Sequence, residues 1–279
     1  MSHLRLGIPP LRRHVRNLYP VRATIRIECE GMQYAPDINS RLLTQTCSDA
    51  LSRFCSALLP ELCALCGAWL TLPLQPAVCG LCRRTMPWND NACGRCGLPA
   101  DIGCAPDCED LPFEHTITPL RYEGAAARWV VQSKHRGGYP ETRLLAACLS
   151  QAVTDSYQKA QLPQQILPVP LSWQRQLRRG HNQAEALAFL IARQLQLPMA
   201  SRALRRTRHT PIQPGLNPSQ RRRNLRNAFA PRRRWQGQRV AIVDDVMTSA
   251  ATASELARVL LDAGCEAVDV WCATRAQTS

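Results

Sequence analysis

The sequence predicts an α/β fold, a largely parallel sheet flanked by helices, preceded by a small cysteine-rich module. Three observations predict it. From about residue 115 onward, short apolar runs alternate with helical segments, as in βαβ units. One such unit is spelled out near the C-terminus, where VAIV (240–243), a helical stretch and AVDVWCAT (267–274) follow one another. Ahead of these, eight of the fourteen cysteines crowd between Cys63 and Cys108.

At 279 residues the chain is long enough for one large or two smaller domains with a real core. Residues 1–55 mix Arg, Pro and short apolar runs without a period. They read as a loosely ordered extension, and a start site placed too far upstream would look the same. No compact apolar segment followed by a small-residue cleavage site is present there, and no window approaches 18 uninterrupted apolar residues. The expected location is cytoplasmic, with no membrane span.

Residues 56–112 are expected to form a double zinc-finger-like module. Cys63-Ala-Leu-Cys66, Cys79-Gly-Leu-Cys82 and Cys93-Gly-Arg-Cys96 are C-x-x-C turns, and Cys104 and Cys108 form a looser fourth pair. A C-x-x-C turn aims two thiolates at one ion, and two turns complete a tetrahedral zinc site. A disulfide framework needs an export route, and a redox C-x-x-C needs a thioredoxin-like context, so structural Zn²⁺ is the preferred reading. Sequential pairing would give Cys63, Cys66, Cys79 and Cys82 one ion and Cys93, Cys96, Cys104 and Cys108 another; crossed pairing stays open. Cys148, Cys265 and Cys272 lie in apolar segments and read as core, whereas Cys29, Cys47 and Cys55 have no partner spacing.

Residues 113–279 are expected to carry the sheet. QQILPVP (164–170) is an apolar run ended by prolines, as at a strand's carboxyl edge. Asn182 opens NQAEALAFLIARQLQL with an Asn-x-x-Glu start typical of a capped helix. Leu256, Val259, Leu260 and Ala263 share one face of a further helix, which Gly264 is placed to stop. Between VAIV and that helix stand Asp244 and Asp245 and a small, hydroxyl-rich turn, Thr248-Ser-Ala-Ala-Thr252. Open α/β sheets bind ligands at the carboxyl ends of their strands. Amides at a helix start can cradle phosphate, and paired carboxylates can hold sugar hydroxyls and Mg²⁺. The competing reading makes Thr252-Ala-Ser-Glu255 a capping box.

The net charge of +14 is uneven: residues 201–239 hold twelve arginines and no acidic residue. Such a field attracts phosphates, whether of nucleic acid or of a small molecule; the alternative is a solvated, Arg-biased face.

VAIVDDVMTSAAT (240–252) resembles the phosphoribosyl-pyrophosphate (PRPP) signature of type I phosphoribosyltransferases. With the cysteine module, PVPLSWQRQLRRGHNQAEAL (168–187) and RTRHTPIQPGLNPSQRRRNLRNAF (206–229), the order of motifs resembles the ComF (GntX-like) family of competence and DNA-utilisation proteins. The likeness spans about residues 60–275. It implies a type I phosphoribosyltransferase-like sheet in which Asp244 and Asp245 contact the ribose hydroxyls. Thr248, Ser249, Ala250, Ala251 and Thr252 would form the 5′-phosphate loop. Val169, Pro170, Leu171 and Ser172 would form the pyrophosphate loop, with Arg175 and Arg179 nearby. The span from Thr207 to Asn224 resembles a mobile loop bringing Arg208, Gln213, Arg221 and Asn224 to the leaving pyrophosphate. Lys134 matches a basic position ahead of the PVPL motif.

Two departures from the family pattern stand out. His181 replaces the usual Phe of RGFNQ, and Ala250 replaces the Gly of the phosphate loop. Gly there permits positive φ, which costs Ala about 1 kcal/mol or more. Two functions follow from the resemblance. One is a Mg²⁺-dependent phosphoribosyltransferase-like enzyme acting on PRPP or a related ribose phosphate. The other is a zinc-containing accessory that keeps the fold without turnover and handles single-stranded DNA or meets DNA-uptake proteins. The sequence leaves the acceptor unnamed.

Overall fold

A computed structural model of the chain describes residues 62–70, 77–135, 138–157, 162–171, 180–207 and 218–277; of residues 218, 219, 221 and 222 only the backbone is described. The elements in order are helix α1 (Gly80–Arg84), strands β1 (Thr116–Ile117) and β2 (Leu120–Arg121), helices α2 (Gly124–Ser133) and α3 (Tyr139–Ser156), and β3 (Gln165–Pro168). Then come α4 (Gln183–Leu195), β4 (Leu204–Arg206), α5 (Pro218–Leu225), β5 (Phe229–Pro231), β6 (Arg239–Met247), α6 (Ala251–Asp262) and β7 (Ala267–Arg275).

Five strands form one wholly parallel sheet. β7 lies between β6 and the edge pieces β1 and β2, and β3 closes the other side of β6. β1 and β2 continue one register on β7, with Thr116 opposite Val270 and Leu120 opposite Thr274. Pro119, which has no N–H to give, stands in the gap between them. Every residue of β7 is buried, as parallel strands covered on both faces require.

The alternation of side chains along the strands sorts the core into two layers. Val240, Ile242, Val268 and Val270 face Leu256 and Leu260 of α6, together with Phe229 and Trp235. Ala241, Val243, Trp271 and Ala273 face Trp129, Leu145, Leu149, Leu187 and Ile191 of α2, α3 and α4. Cys265 and Cys272 are buried in the first layer and Cys148 in the second, in line with their apolar context. Asn182 caps α4, its side chain accepting the Ala184 N–H at 3.1 Å. β4 and β5 pair antiparallel as a separate ribbon, so the arginine-rich span connects the two strands of a hairpin.

The second cysteine knuckle is bound to the sheet edge. Thr116 N–H donates to Gly94 O at 2.7 Å, Thr116 Oγ1 donates to Arg95 O, and Asn89 Nδ2 spans Gly97 O and Thr118 O at 2.9 Å each. Gly97 sits at φ +68°, where an added Cβ would lie 2.8 Å from Thr116 Cγ2 and 2.9 Å from Thr118 Oγ1. Left-handed strain costs about 1–2 kcal/mol and overpacking about 1–3 kcal/mol. Gly97→Ala is therefore expected to destabilise the fold by about 2–5 kcal/mol. A lower urea midpoint at unchanged slope would register this.

Candidate functional site

β6 does not end at its two aspartates. It runs on through them to Met247, pairing Asp244 with Cys272 and Val246 with Thr274 of β7. On the other side β3 pairs only as far as Val243 and stops at Pro168. Asp244 and Asp245 therefore lie at a step in the carboxyl edge, backed by one neighbour and free of the other. Thr274 Oγ1 donates to Asp245 O at 3.0 Å, and the Asp245 N–H donates to Asp244 Oδ1 at 2.9 Å. Burial, and then the adjacent Asp245 carboxylate, push Asp244 well above the ordinary carboxylate range.

The loop after β3 faces this step. Val169 N–H donates to Val243 O at 3.0 Å, and the Asn182 side chain, besides capping α4, donates to Val169 O at 3.1 Å. Val169 is buried, with Pro170 and Leu171 half-buried. Lys134, at the end of α2, reaches Asp245 Oδ2 with its Nζ at 3.3 Å. The structure thus brings Lys134, Asp244 and Asp245 together, with Val169 bonded to the residue before them. His181 lies beside this group, 3.2 Å from Ser133 O.

The turn that follows settles the question raised by Ala250. Ala250 adopts φ +55°, the left-handed conformation for which Gly is suited, and it is the N-cap residue of α6 with no side-chain cap. The capping-box reading is corrected here: Thr252 lies inside the first turn of α6. Glu255 accepts the Asn227 N–H at 2.6 Å, tying the segment after α5 to α6. Free of a side-chain cap, the first-turn amides of α6 have no intrahelical partners, and the first turn holds no acidic residue. Ala250→Gly is expected to remove about 1–2 kcal/mol of left-handed strain and to return part of it as chain entropy. A net gain of about 0.5–1 kcal/mol should appear as a raised urea midpoint.

Other residues of interest are placed less fully. Ser172, Arg175, Arg179, Arg208 and Gln213 lie outside the described residues, as do Cys29, Cys47 and Cys55. Arg221 and Asn224 are on α5, Arg221 by its backbone alone.

The eight cysteines form two groups in sequential pairing. Cys63, Cys66, Cys79 and Cys82 converge in one, and Cys93, Cys96, Cys104 and Cys108 in the other, with all four sulfurs of each group within 4.8 Å. Cys66 and Cys79 sulfurs are 3.8 Å apart, and Cys93 and Cys108 sulfurs 3.7 Å. Disulfide sulfurs would stand about 2.05 Å apart. A tetrahedral zinc site with bonds of about 2.3 Å separates its sulfurs by about 3.8 Å, so the donor set fits that ion. Backbone N–H groups point at the sulfurs: Cys79 N–H donates to Cys63 Sγ at 3.3 Å. Burial opposes ionisation of Cys63 and Cys93, but such amides prevail and lower both thiols to about 6. A third convergence, Glu114, His115 and Asp269, already holds a cation: Arg239 Nη1 lies 2.7 Å from Glu114 and 3.3 Å from Asp269.

No family model matches the chain. The DNA utilization protein YhgH of Escherichia coli K12 is 35% identical over 222 residues, 77% of this chain and 97% of that protein. The chain belongs to the ComF/YhgH family. Competence protein F of Haemophilus influenzae is a second relative, 34% identical over 204 residues, 71% of this chain and 84% of that one. Among solved structures, UMP synthase of Leishmania donovani superposes with a TM-score of 0.30 at 16% identity, over 56% of this chain and 37% of that one. Among the described residues of this ComF/YhgH chain, no helix is long and apolar enough to cross a membrane.

Sequence reading overlooked one residue at the site. Arg275 closes β7 and its side chain is buried; its Nε donates to Cys96 O at 3.0 Å and its Nη1 to Met247 O at 3.1 Å. An arginine in a C-terminal Thr-Arg-Ala-Gln carries no motif, and only the packed sheet shows its contacts.

Proposed function

We propose that this ComF/YhgH-family chain binds a phosphorylated ribose, PRPP or a close relative, together with Mg²⁺ at the carboxyl edge of β6. We propose further that it does so in DNA uptake or utilisation, as the names of its relatives suggest. One observation carries the reading: two adjacent carboxylates at the sheet step lead, five residues after Asp245, into a side-chain-uncapped helix start held at positive φ at Ala250.

The parts divide the ligand between them. Asp244 and Asp245 accept from the ribose hydroxyls, and the amides of 249–252 with the Thr248, Ser249 and Thr252 hydroxyls take the 5′-phosphate. The Val169–Leu171 loop, bonded to Val243 O, supplies backbone groups for pyrophosphate, joined in this reading by Ser172, Arg175 and Arg179. Arg208, Gln213, Arg221 and Asn224 belong to the hairpin connection that would close over it. Lys134 holds a cationic group 3.3 Å from Asp245, so the all-oxygen donor set already accommodates positive charge where Mg²⁺ would bind. When bound, Mg²⁺ supplies charge neutralisation of the pyrophosphate. If an acceptor attacks C1, the C1–oxygen bond to pyrophosphate breaks. Positive charge then builds on the sugar near the carboxylates, and negative charge on the leaving group near the arginines.

The two cysteine groups, by the same reading, hold structural zinc. Cys63 packs into the layer beneath α2–α4, and Cys96 and Cys108 into the layer beneath α6.

Calorimetric titration with PRPP tests the reading. Saturable binding that requires Mg²⁺ is expected; no heat at millimolar PRPP with Mg²⁺ would refute it. Binding without turnover against any acceptor would favour a zinc-containing nucleic-acid-handling accessory that retains the site.

A further inference from the structure

Arg275 is 3% exposed, and its guanidinium meets carbonyl oxygens only: Cys96 O through Nε, and Met247 O, Thr248 O and Ala276 O through Nη1. Among the described residues no carboxylate lies within ion-pair distance of it. A buried cation without a counter-charge is costly. The groups at its two ends are informative. Cys96 is a member of the second cysteine group, and Met247 and Thr248 begin the turn that leads into α6. Four thiolates around a divalent ion carry a net charge of about −2, so a loaded cluster would place negative charge at Cys96, whose carbonyl Arg275 holds. Burial draws the guanidinium below its usual range, and the Cys96 sulfur opposes that shift.

Peptide geometry gives the contact a consequence. In a trans peptide the C=O and the following N–H point in opposite directions. Met247 O is held by the Ala276 N–H at 2.9 Å as well as by Arg275, whereas Thr248 O accepts from the Arg275 guanidinium, which turns the Ser249 amide away from it. The knuckle end is equally fixed. Gly97, next to Cys96, gives its carbonyl to Asn89 Nδ2 at 2.9 Å and Thr118 Oγ1 at 3.1 Å.

We propose that Arg275 is a positioning residue that joins the second cysteine cluster to the turn at 248–252, so that the order of the turn depends on the metal-loaded cluster. The anion-binding role of that turn rests on the function proposed above; the mechanical link does not.

Hydrogen exchange across 247–252 and zinc release to a chelating dye test the link without requiring PRPP. In Arg275→Met, turn amides should exchange at least about tenfold faster, the effect of losing one or more buried hydrogen bonds. One of two zinc equivalents should be released faster. Arg275→Lys, which keeps the charge but not the fork, should fall between. Cys104→Ser should loosen the turn as Arg275→Met does, while Cys66→Ser, in the other cluster, should leave it as in the parent chain. Unchanged turn exchange in folded Arg275→Met or in Cys104→Ser overturns the proposal, and so does equal loosening by Cys66→Ser. Should Arg275→Met fail to fold, the Lys variant and the two cysteine variants decide. A parent chain that ignores PRPP but shows this exchange pattern sinks the functional reading alone. One that binds PRPP without the pattern sinks this inference alone.

Discussion

Asp244→Asn combined with Asp245→Asn is expected to lower Mg²⁺-dependent PRPP affinity by at least about 100-fold. A hydrogen bond to a charged group contributes about 1.5–3 kcal/mol, and two are lost together with the hard-anion donors that hold Mg²⁺. Each single substitution should cost about 10–100-fold. The fold should survive, because the strand hydrogen bonds on either side of the pair belong to the backbone and the amide side chains are nearly isosteric. The double variant should in fact unfold no earlier than the parent, since adjacent carboxylates repel each other and Asp244 is held above its ordinary range by burial and by Asp245. The same shift sets the pH dependence. A proton on Asp244 competes with a cation, so affinity should rise with pH as that proton is lost. Titrations of parent and double variant at several pH values read both effects. Equal affinity in the two proteins would remove Asp244 and Asp245 from the site.

Loss of one cysteine ligand is expected to have the largest effect on stability. The parent chain should carry two zinc ions, one for each four-sulfur group. Structural zinc contributes about 10–16 kcal/mol of apparent binding energy in small finger peptides, where folding and binding are one event. Here the second knuckle is also held by Thr116, Asn89, Arg275 and Arg95, the last donating to Leu111 O at 2.9 Å. Only part of that energy should therefore be lost. Cys108→Ser should reduce the metal content from two to one and destabilise the chain by several kcal/mol, more than any single core truncation of about 2–5 kcal/mol removes from one apolar contact set. Cys108 is buried in the same layer as Leu256 and Val270, so the damage should spread into the sheet. Elemental analysis with urea denaturation measures both quantities. Two zinc ions retained, or an unmoved midpoint, would contradict the assignment.

Much of this architecture was legible in the residues themselves. The β6–α6–β7 unit could be read from its apolar runs and helical spacing, because a parallel strand covered on both faces must be continuously apolar. Cysteine pairs with two residues between them announced the two four-sulfur groups, because few other structures need that spacing. Asn182 and Gly264 fell at their helix ends because capping and chain reversal are local requirements. Local logic also misled: Thr252 and Glu255 have capping-box spacing, yet Glu255 is taken by Asn227, which is close only in the folded chain.

By itself, then, the sequence determined the α/β class, the two aspartates following a buried apolar run, and the position at which an Ala would have to take a glycine's conformation. Tertiary structure alone decided which cysteines share a cluster, that β6 continues past its aspartates while β3 stops short, and that Lys134 faces Asp245. It also decided the role of Arg275, which joins residues 179 positions apart through one hydrogen bond to Cys96. Periodicity, caps and turn chemistry depend on neighbours a few residues away and leave a trace in the sequence. Contacts across the sheet depend on register and packing, which no short stretch of residues encodes.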